Sequence, residues 1–202
     1  MMPAARESLL DAAYTALTRR PWSAVRMVDV AAAAGVSRQT LYNEFGSKEG
    51  LARALVRREA DGYLAGVERA LTGYIDPRDR LAATAEWTAS AARENALVRA
   101  MLTGFWSEGL PSPTLSAVPS SSAVPAQRRA DGPLPSPGDF VQIVRDRAVA
   151  VLSLPGATRY DGSELARSCE LVVRLALSCV AAPPPEGGVA ELVRGALGRQ
   201  SV

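Results

Sequence analysis

An all-α fold is expected from three features of this 202-residue chain. It is 48% hydrophobic and rich in alanine and leucine, a composition that favours helix. Its apolar residues recur at three- and four-residue spacing rather than in alternation. The breaks between these stretches carry helix start and stop residues: Gly35, Ser37, Gly46, Ser47, Asp76-Pro77 and Asn95. The chain suits one or two domains with a sizeable core. A boundary is expected at 47/48, separating an N-terminal three-helix domain (1–47) from a larger helical domain (48–202).

Taken in order, Pro3 to Leu17 reads as a first helix, with Leu9, Leu10, Ala13, Tyr14 and Leu17 inward. Arg19-Arg20-Pro21 ends it, and Trp22 reads as a packing anchor rather than a base-stacking platform. Met27 to Ala34 forms a second helix, with Val30, Ala31 and Ala34 on one face. Gly35-Val36-Ser37 makes the turn: Gly35 accepts the positive φ of a helix exit, and Ser37 caps the third helix. That helix, Arg38 to Phe45, turns Leu41 and Phe45 inward and leaves Arg38, Gln39, Thr40 and Asn43 outside. Two short helices joined by a Gly-bearing turn form a helix-turn-helix, whose second helix enters a DNA major groove. Gly46 and Ser47 then close this helix and cap the next, placing Lys48 at a helix N-terminus, where phosphate is attracted.

Lys48 to about Leu71 is one long helix with Leu51, Leu55, Tyr63, Val67 and Leu71 on its apolar side. It joins head to body and is a natural lever between them. Asp76-Pro77 starts a helix running to Arg93, and Asn95 caps another that ends near Gly104. From Leu110 to Gly138 the helical period vanishes. Half of the fourteen prolines fall there, so a flexible loop 110–138 is expected. Helices return from Asp139 to a stop at Pro155-Gly156, from Ser163 to Ala182, and from Val189 to Leu197.

The string AGVSRQTLYNEFGSKEGL resembles the DNA-binding signature of the TetR/AcrR family of bacterial transcriptional regulators. The matching positions are Ala34, Gly35, Val36, Ser37, Thr40, Leu41, Tyr42, Phe45, Ser47, Lys48 and Glu49. The likeness is close over the first quarter of the chain and extends to the rest only as helical layout. Two features depart from the pattern. Arg26 stands where the family often caps the first of these helices with Thr, and Asn43-Glu44 replaces the commoner aromatic or His beside the final Phe. By this resemblance Thr40, Tyr42 and Lys48 hold phosphates, with Ser37 adding a contact. Arg38, Gln39 and Asn43 face outward to read base edges, Arg suiting guanine and the amides adenine.

Charge and composition agree with such a head. Residues 1–58 hold nine Lys/Arg against five Asp/Glu, whereas residues 59–202 hold fourteen against sixteen, so the basic excess lies with the helix-turn-helix. The chain has no histidine and two cysteines, Cys169 and Cys179. Ten residues apart on one helix, these lie about 15 Å apart along its axis and cannot bridge. They are expected reduced and buried. No metal site, cofactor or catalytic group is expected: there is no nucleophile–base pairing and no glycine-rich phosphate loop. No signal peptide or membrane span is apparent, and a soluble, cytoplasmic protein is expected.

A single helix-turn-helix contacts few base pairs, so a two-fold homodimer reading a palindromic operator in double-stranded DNA is expected. The last two helices are apolar beyond one core contact, and in the resembled family such helices make the dimer. Leu165, Cys169, Val172, Val173, Ala176, Val180, Val189, Leu192, Val193 and Ala196 are the expected seam. Trp87, Met101, Phe105, Trp106 and Phe140 lie on helices that line the effector cavity in relatives, so they are the expected pocket for an unidentified small-molecule effector. The expected function is that of a ligand-responsive, homodimeric transcriptional regulator, by family habit a repressor. The competing readings are a helical interaction module with degenerate DNA binding and an enzyme with an accessory DNA-binding head.

Overall fold

The computed structural model describes residues 3–111, 134–153, 162–184 and 188–198. Every regular element among them is helical. They are α1 (Pro3–Arg19), a 3₁₀ turn (Trp22–Ala24), α2 (Met27–Ala33), α3 (Arg38–Phe45), α4 (Lys48–Thr72), α5 (Pro77–Glu94), α6 (Ala96–Thr103), α7 (Pro137–Leu152), α8 (Gly162–Ala181) and α9 (Val189–Gly198). The expected class, an N-terminal helix-turn-helix followed by a helical body, is the class observed.

Helix ends follow local chemistry. Asp76 accepts from the N–H groups of Arg78 and Asp79, and Asn95 from those of Leu97 and Val98. One start differs from expectation. Pro137 and Gly138, expected in the loop, begin α7 two residues before Asp139. Ser136 caps this helix, its hydroxyl accepting from Asp139 N at 3.2 Å while the Asp139 carboxylate accepts from Ser136 N at 2.8 Å. Proline suits the first turn because its missing N–H would have no helical partner there. Donation from the Ser136 backbone N–H and from the Ser136 hydroxyl holds the Asp139 carboxyl below its ordinary pKa. Most of the expected loop 110–138 lies outside the described residues, as do Arg128-Arg129, Pro155-Gly156 and Pro185.

The chain forms two compact units that divide at Glu59–Ala60, inside α4 and beyond the 47/48 boundary drawn from the sequence. In the N-terminal unit, Leu9, Leu10 and Ala13 of α1 share a core with Val25, Val30, Ala31, Leu41, Phe45, Leu51 and Leu55. Trp22 is buried with them as a packing anchor. Its backbone N–H donates to the Gly109 carbonyl at 2.8 Å, which ties the segment from Trp106 into this unit. Arg58 adds an ion pair to Asp11 at 2.7 Å.

In the second unit α5 supplies a face of small residues. Ala82, Ala85, Ala89 and Ala92 are all at most 1% exposed, and α8 and α9 both pack against α5 while α7 packs against α8. The later half of α4 is gripped at two successive carbonyls. Trp87 Nε1 donates to Tyr63 O at 3.0 Å, and Arg147 Nη1 donates to Leu64 O at 3.0 Å. Trp87 can seat there because residue 66 is glycine: a Cβ would lie 2.1 Å from the indole. Cys169 and Cys179 are free and buried. Burial pushes the Cys169 thiol up to about 11, so it stays protonated at neutral pH. No helix among the described residues is long and apolar enough to cross a membrane.

Candidate nucleic-acid interface

Helix α3 is held between two glycine exits. Gly35 has φ +68° and Gly46 φ +71°, a region that costs other residues strain. At its start Ser37 Oγ accepts from Thr40 N at 3.0 Å and shares a hydrogen bond with Thr40 Oγ1 at 2.8 Å. Ser37→Ala is expected to lower the stability of this unit by about 0.5–2 kcal/mol, read by denaturant unfolding. A change within error would show that water replaces the cap without cost.

These ends set the helix so that Leu41 and Phe45 are buried, while Arg38, Gln39, Thr40, Tyr42 and Asn43 are exposed. The outward row expected from the sequence is therefore gathered on one face. Gln39 Nε2 donates to Asn43 Oδ1 at 2.7 Å, one helical turn on. Glu44 points elsewhere, pairing with Arg6 of α1 at 2.7 Å, and that guanidinium stacks 4.9 Å from the centre of the Phe45 ring. No sequence signal joins residues 38 positions apart, so this pairing is legible only in the fold.

The next helix begins the same way. Ser47 Oγ accepts from Gly50 N at 3.1 Å. Lys48 Nζ donates to Ser23 O at 3.1 Å and lies 5.6 Å from the Trp22 ring centre, so the ammonium is placed by the 3₁₀ turn. Hydrogen bonds from its own backbone N–H and from the Ser47 hydroxyl hold the Glu49 carboxyl below its ordinary pKa. Arg26 at the N-cap of α2 makes no side-chain cap bond; it stands 3.8 Å from Asp29, which also pairs with Arg20 at 3.2 Å. In place of a side-chain cap, α2 carries the negative charge of Asp29 in its first turn.

The expected pocket residues differ in burial and in the unit they belong to. Met101 and Phe140 are buried and Trp87 is half-buried, but Phe105 is 78% exposed and Trp106 belongs to the N-terminal unit. Gly104, with φ +74°, turns the chain out of α6 and carries Phe105 away from the body core. Sequence reasoning missed a polar pair inside that core. Tyr63 Oη and Thr88 Oγ1 share a hydrogen bond at 3.1 Å, beside the edge of Phe140 at a ring separation of 6.0 Å. Burial pushes the Tyr63 hydroxyl up to about 12. The apolar stripe of α4 accounts for its ring alone.

Most residues of the expected seam are buried within this single chain. Leu165, Cys169, Val172, Val173 and Ala176 of α8, and Val189 and Val193 of α9, are at most 5% exposed within this single chain. The alanine face of α5 lets both helices approach closely, so these side chains serve the body's own core. Val180 and Ala196 are half-buried, Leu192 is 43% exposed, and Leu171 on α8 is 41% exposed.

Residues 9–55 match the family described as "Bacterial regulatory proteins, tetR family". Across 181 residues the chain is 35% identical to the HTH-type transcriptional regulator AlkX of Mycobacterium tuberculosis, spanning 89% of this chain and 76% of that protein. It is 40% identical over 81 residues to the HTH-type transcriptional activator FasR of Mycolicibacterium smegmatis, which covers 40% of this chain and 37% of that one. The crystal structure of the TetR family repressor AlkX from a Dietzia species superposes with a TM-score of 0.54 at 24% identity, over 95% of this chain and 93% of that chain. With a helix-turn-helix displaying one polar face, and likeness extending through the helical body, this chain belongs to the TetR family of bacterial transcriptional regulators.

Proposed function

We propose that the chain acts as a homodimer that reads a palindromic operator through α3, releases it on binding a small molecule, and so represses transcription. The observation that carries this is the segregation of α3. Its apolar pair Leu41 and Phe45 is sealed in the head, while Arg38, Gln39, Thr40, Tyr42 and Asn43 stand in solvent. Arg38, Gln39 and Asn43 address base edges, and Ser37, Thr40, Tyr42 and Lys48 hold backbone phosphates. Repression rather than activation follows the habit of the family.

Dimerisation is supported by the two leucines left in solvent on the last helices, Leu171 and Leu192. With Val180 and Ala196 they offer apolar surface that a second copy would cover. Effector response is supported by the body's apolar core, in which Tyr63 and Thr88 place one polar pair beside Phe140. The grip of Trp87 and Arg147 on α4 offers a route by which a change in the body bears on the helix that enters the head. The ligand's preference between two arrangements must equal its effect on DNA affinity.

The test is titration of a duplex retained by the protein, with mass measurement of the complex. Two chains per duplex are expected. Lys48→Ala is expected to weaken retained and random duplexes alike and to reduce the salt slope by about 1. A complex of one chain, or a Lys48→Ala loss confined to the retained duplex, would count against the reading.

A further inference from the structure

The outward face of α3 carries two amides whose hydrogen-bonding capacity is already partly committed. A side-chain amide has two N–H donors and a carbonyl oxygen with two lone pairs. In the structure Gln39 Nε2 donates to Asn43 Oδ1 at 2.7 Å. Gln39 is left with its whole Oε1 and one N–H, an acceptor and a donor side by side. Asn43 is left with both of its N–H groups and one lone pair on an oxygen that is turned toward Gln39.

The two residues therefore present different faces to a major groove. Adenine shows an acceptor at N7 and a donor at N6, which the acceptor–donor face of Gln39 matches in a bidentate pair. Guanine shows two acceptors, N7 and O6, and would set O6 against Gln39 Oε1. The donor face of Asn43 matches an acceptor, such as guanine O6 or N7 or thymine O4, and does not match adenine's N6 donor. Flipping the Gln39 amide alone would bring Oε1 against Asn43 Oδ1, acceptor to acceptor, so the two amides turn only together. The neighbours are already engaged: Thr40 Oγ1 is bound to Ser37 at 2.8 Å and Glu44 to Arg6 at 2.7 Å.

We infer that each operator half-site contains an adenine read in bidentate fashion by Gln39. Asn43 is the positioning residue that orients the Gln39 amide, and its spare N–H groups address an acceptor on an adjacent base. This rests on the reading that α3 enters the major groove. It goes beyond that reading by assigning different bases to two amides that, on residue type alone, would both suit adenine.

The experiment selects duplexes from a random pool with the full-length protein and with Gln39→Ala, Asn43→Ala and Asn43→Asp, at one fixed salt concentration. The adenine position so found is then replaced by guanine and by 7-deazaadenine. For the wild type each replacement is expected to cost roughly ten- to a hundredfold in affinity. For Gln39→Ala neither should cost more than about twofold, since the reader of N7 and N6 is gone. Asn43→Asp keeps the oxygen that holds Gln39 and loses the donors, so adenine discrimination should persist while the preference for the adjacent acceptor disappears. Asn43→Ala should weaken both. The inference is overturned if no enriched adenine depends on Gln39, if 7-deazaadenine costs Gln39→Ala as much as the wild type, or if Asn43→Asp loses adenine discrimination as fully as Gln39→Ala. An enriched palindrome without a Gln39-dependent adenine sinks this inference alone, whereas retention of no duplex at all sinks it together with the DNA-reading function.

Discussion

Phe140→Ala is expected to lower the stability of the body by about 3–5 kcal/mol, the usual cost of emptying an aromatic site in a packed core. The side chain is 1% exposed and presents an edge contact to Tyr63 at 6.0 Å. Its removal would open space beside the Tyr63–Thr88 hydrogen bond and loosen α7 from α4. Phe105→Ala is the matched control. That ring is 78% exposed, and its loss should change stability by no more than about 0.5 kcal/mol. Urea unfolding of the two variants checks both figures. Equal losses would mean that Phe105 shares the body core, contrary to its 78% exposure.

Leu41→Ala is expected to cost about 2–5 kcal/mol within the head, because Leu41 is fully buried between the helices it joins. The head is small, so this is a large share of any stability it has. DNA binding should be lost at temperatures where the body keeps its helical signal. Tyr42→Ala, one residue on and 42% exposed, should leave unfolding within about 0.5 kcal/mol and lower affinity for all duplexes. Circular dichroism melts paired with duplex titrations separate the two effects. Undiminished DNA binding by Leu41→Ala would show that α3 is not held by its apolar face.

What the sequence disclosed and what it withheld divide along the distance over which the chemistry acts. The turn at Gly35-Val36-Ser37, the caps at Asp76 and Asn95, and the length of α4 rest on neighbours within about one helical turn, and all were legible. The start of α7 was legible in principle, since Ser136 and Asp139 form a capping box. Pro137 and Gly138 look like breakers because they close a proline-rich stretch, although proline favours a first turn. The segregation of α3 could be read from i, i+4 spacing, whereas the Arg6–Glu44 pair that turns Glu44 away could not.

The body shows a different limit. Periodicity found the apolar stripe of α8 but not which neighbour covers it, and residues such as Cys169 and Val172 proved to face the chain's own core. The small side chains of α5 were the missing clue, since four buried alanines on one face imply two close neighbours. Tyr63 marks a third limit. Its ring fits an apolar stripe and hides a hydroxyl that needs a partner, and Thr88 supplies it from 25 residues away.

Selection of bound duplexes from a random pool, with the unaltered protein at near-physiological salt, tests the central claim most directly. The account predicts an enriched inverted repeat with two equivalent half-sites, as a two-fold pair of α3 helices requires. DNA retained with no enriched sequence, or no DNA retained, would contradict it.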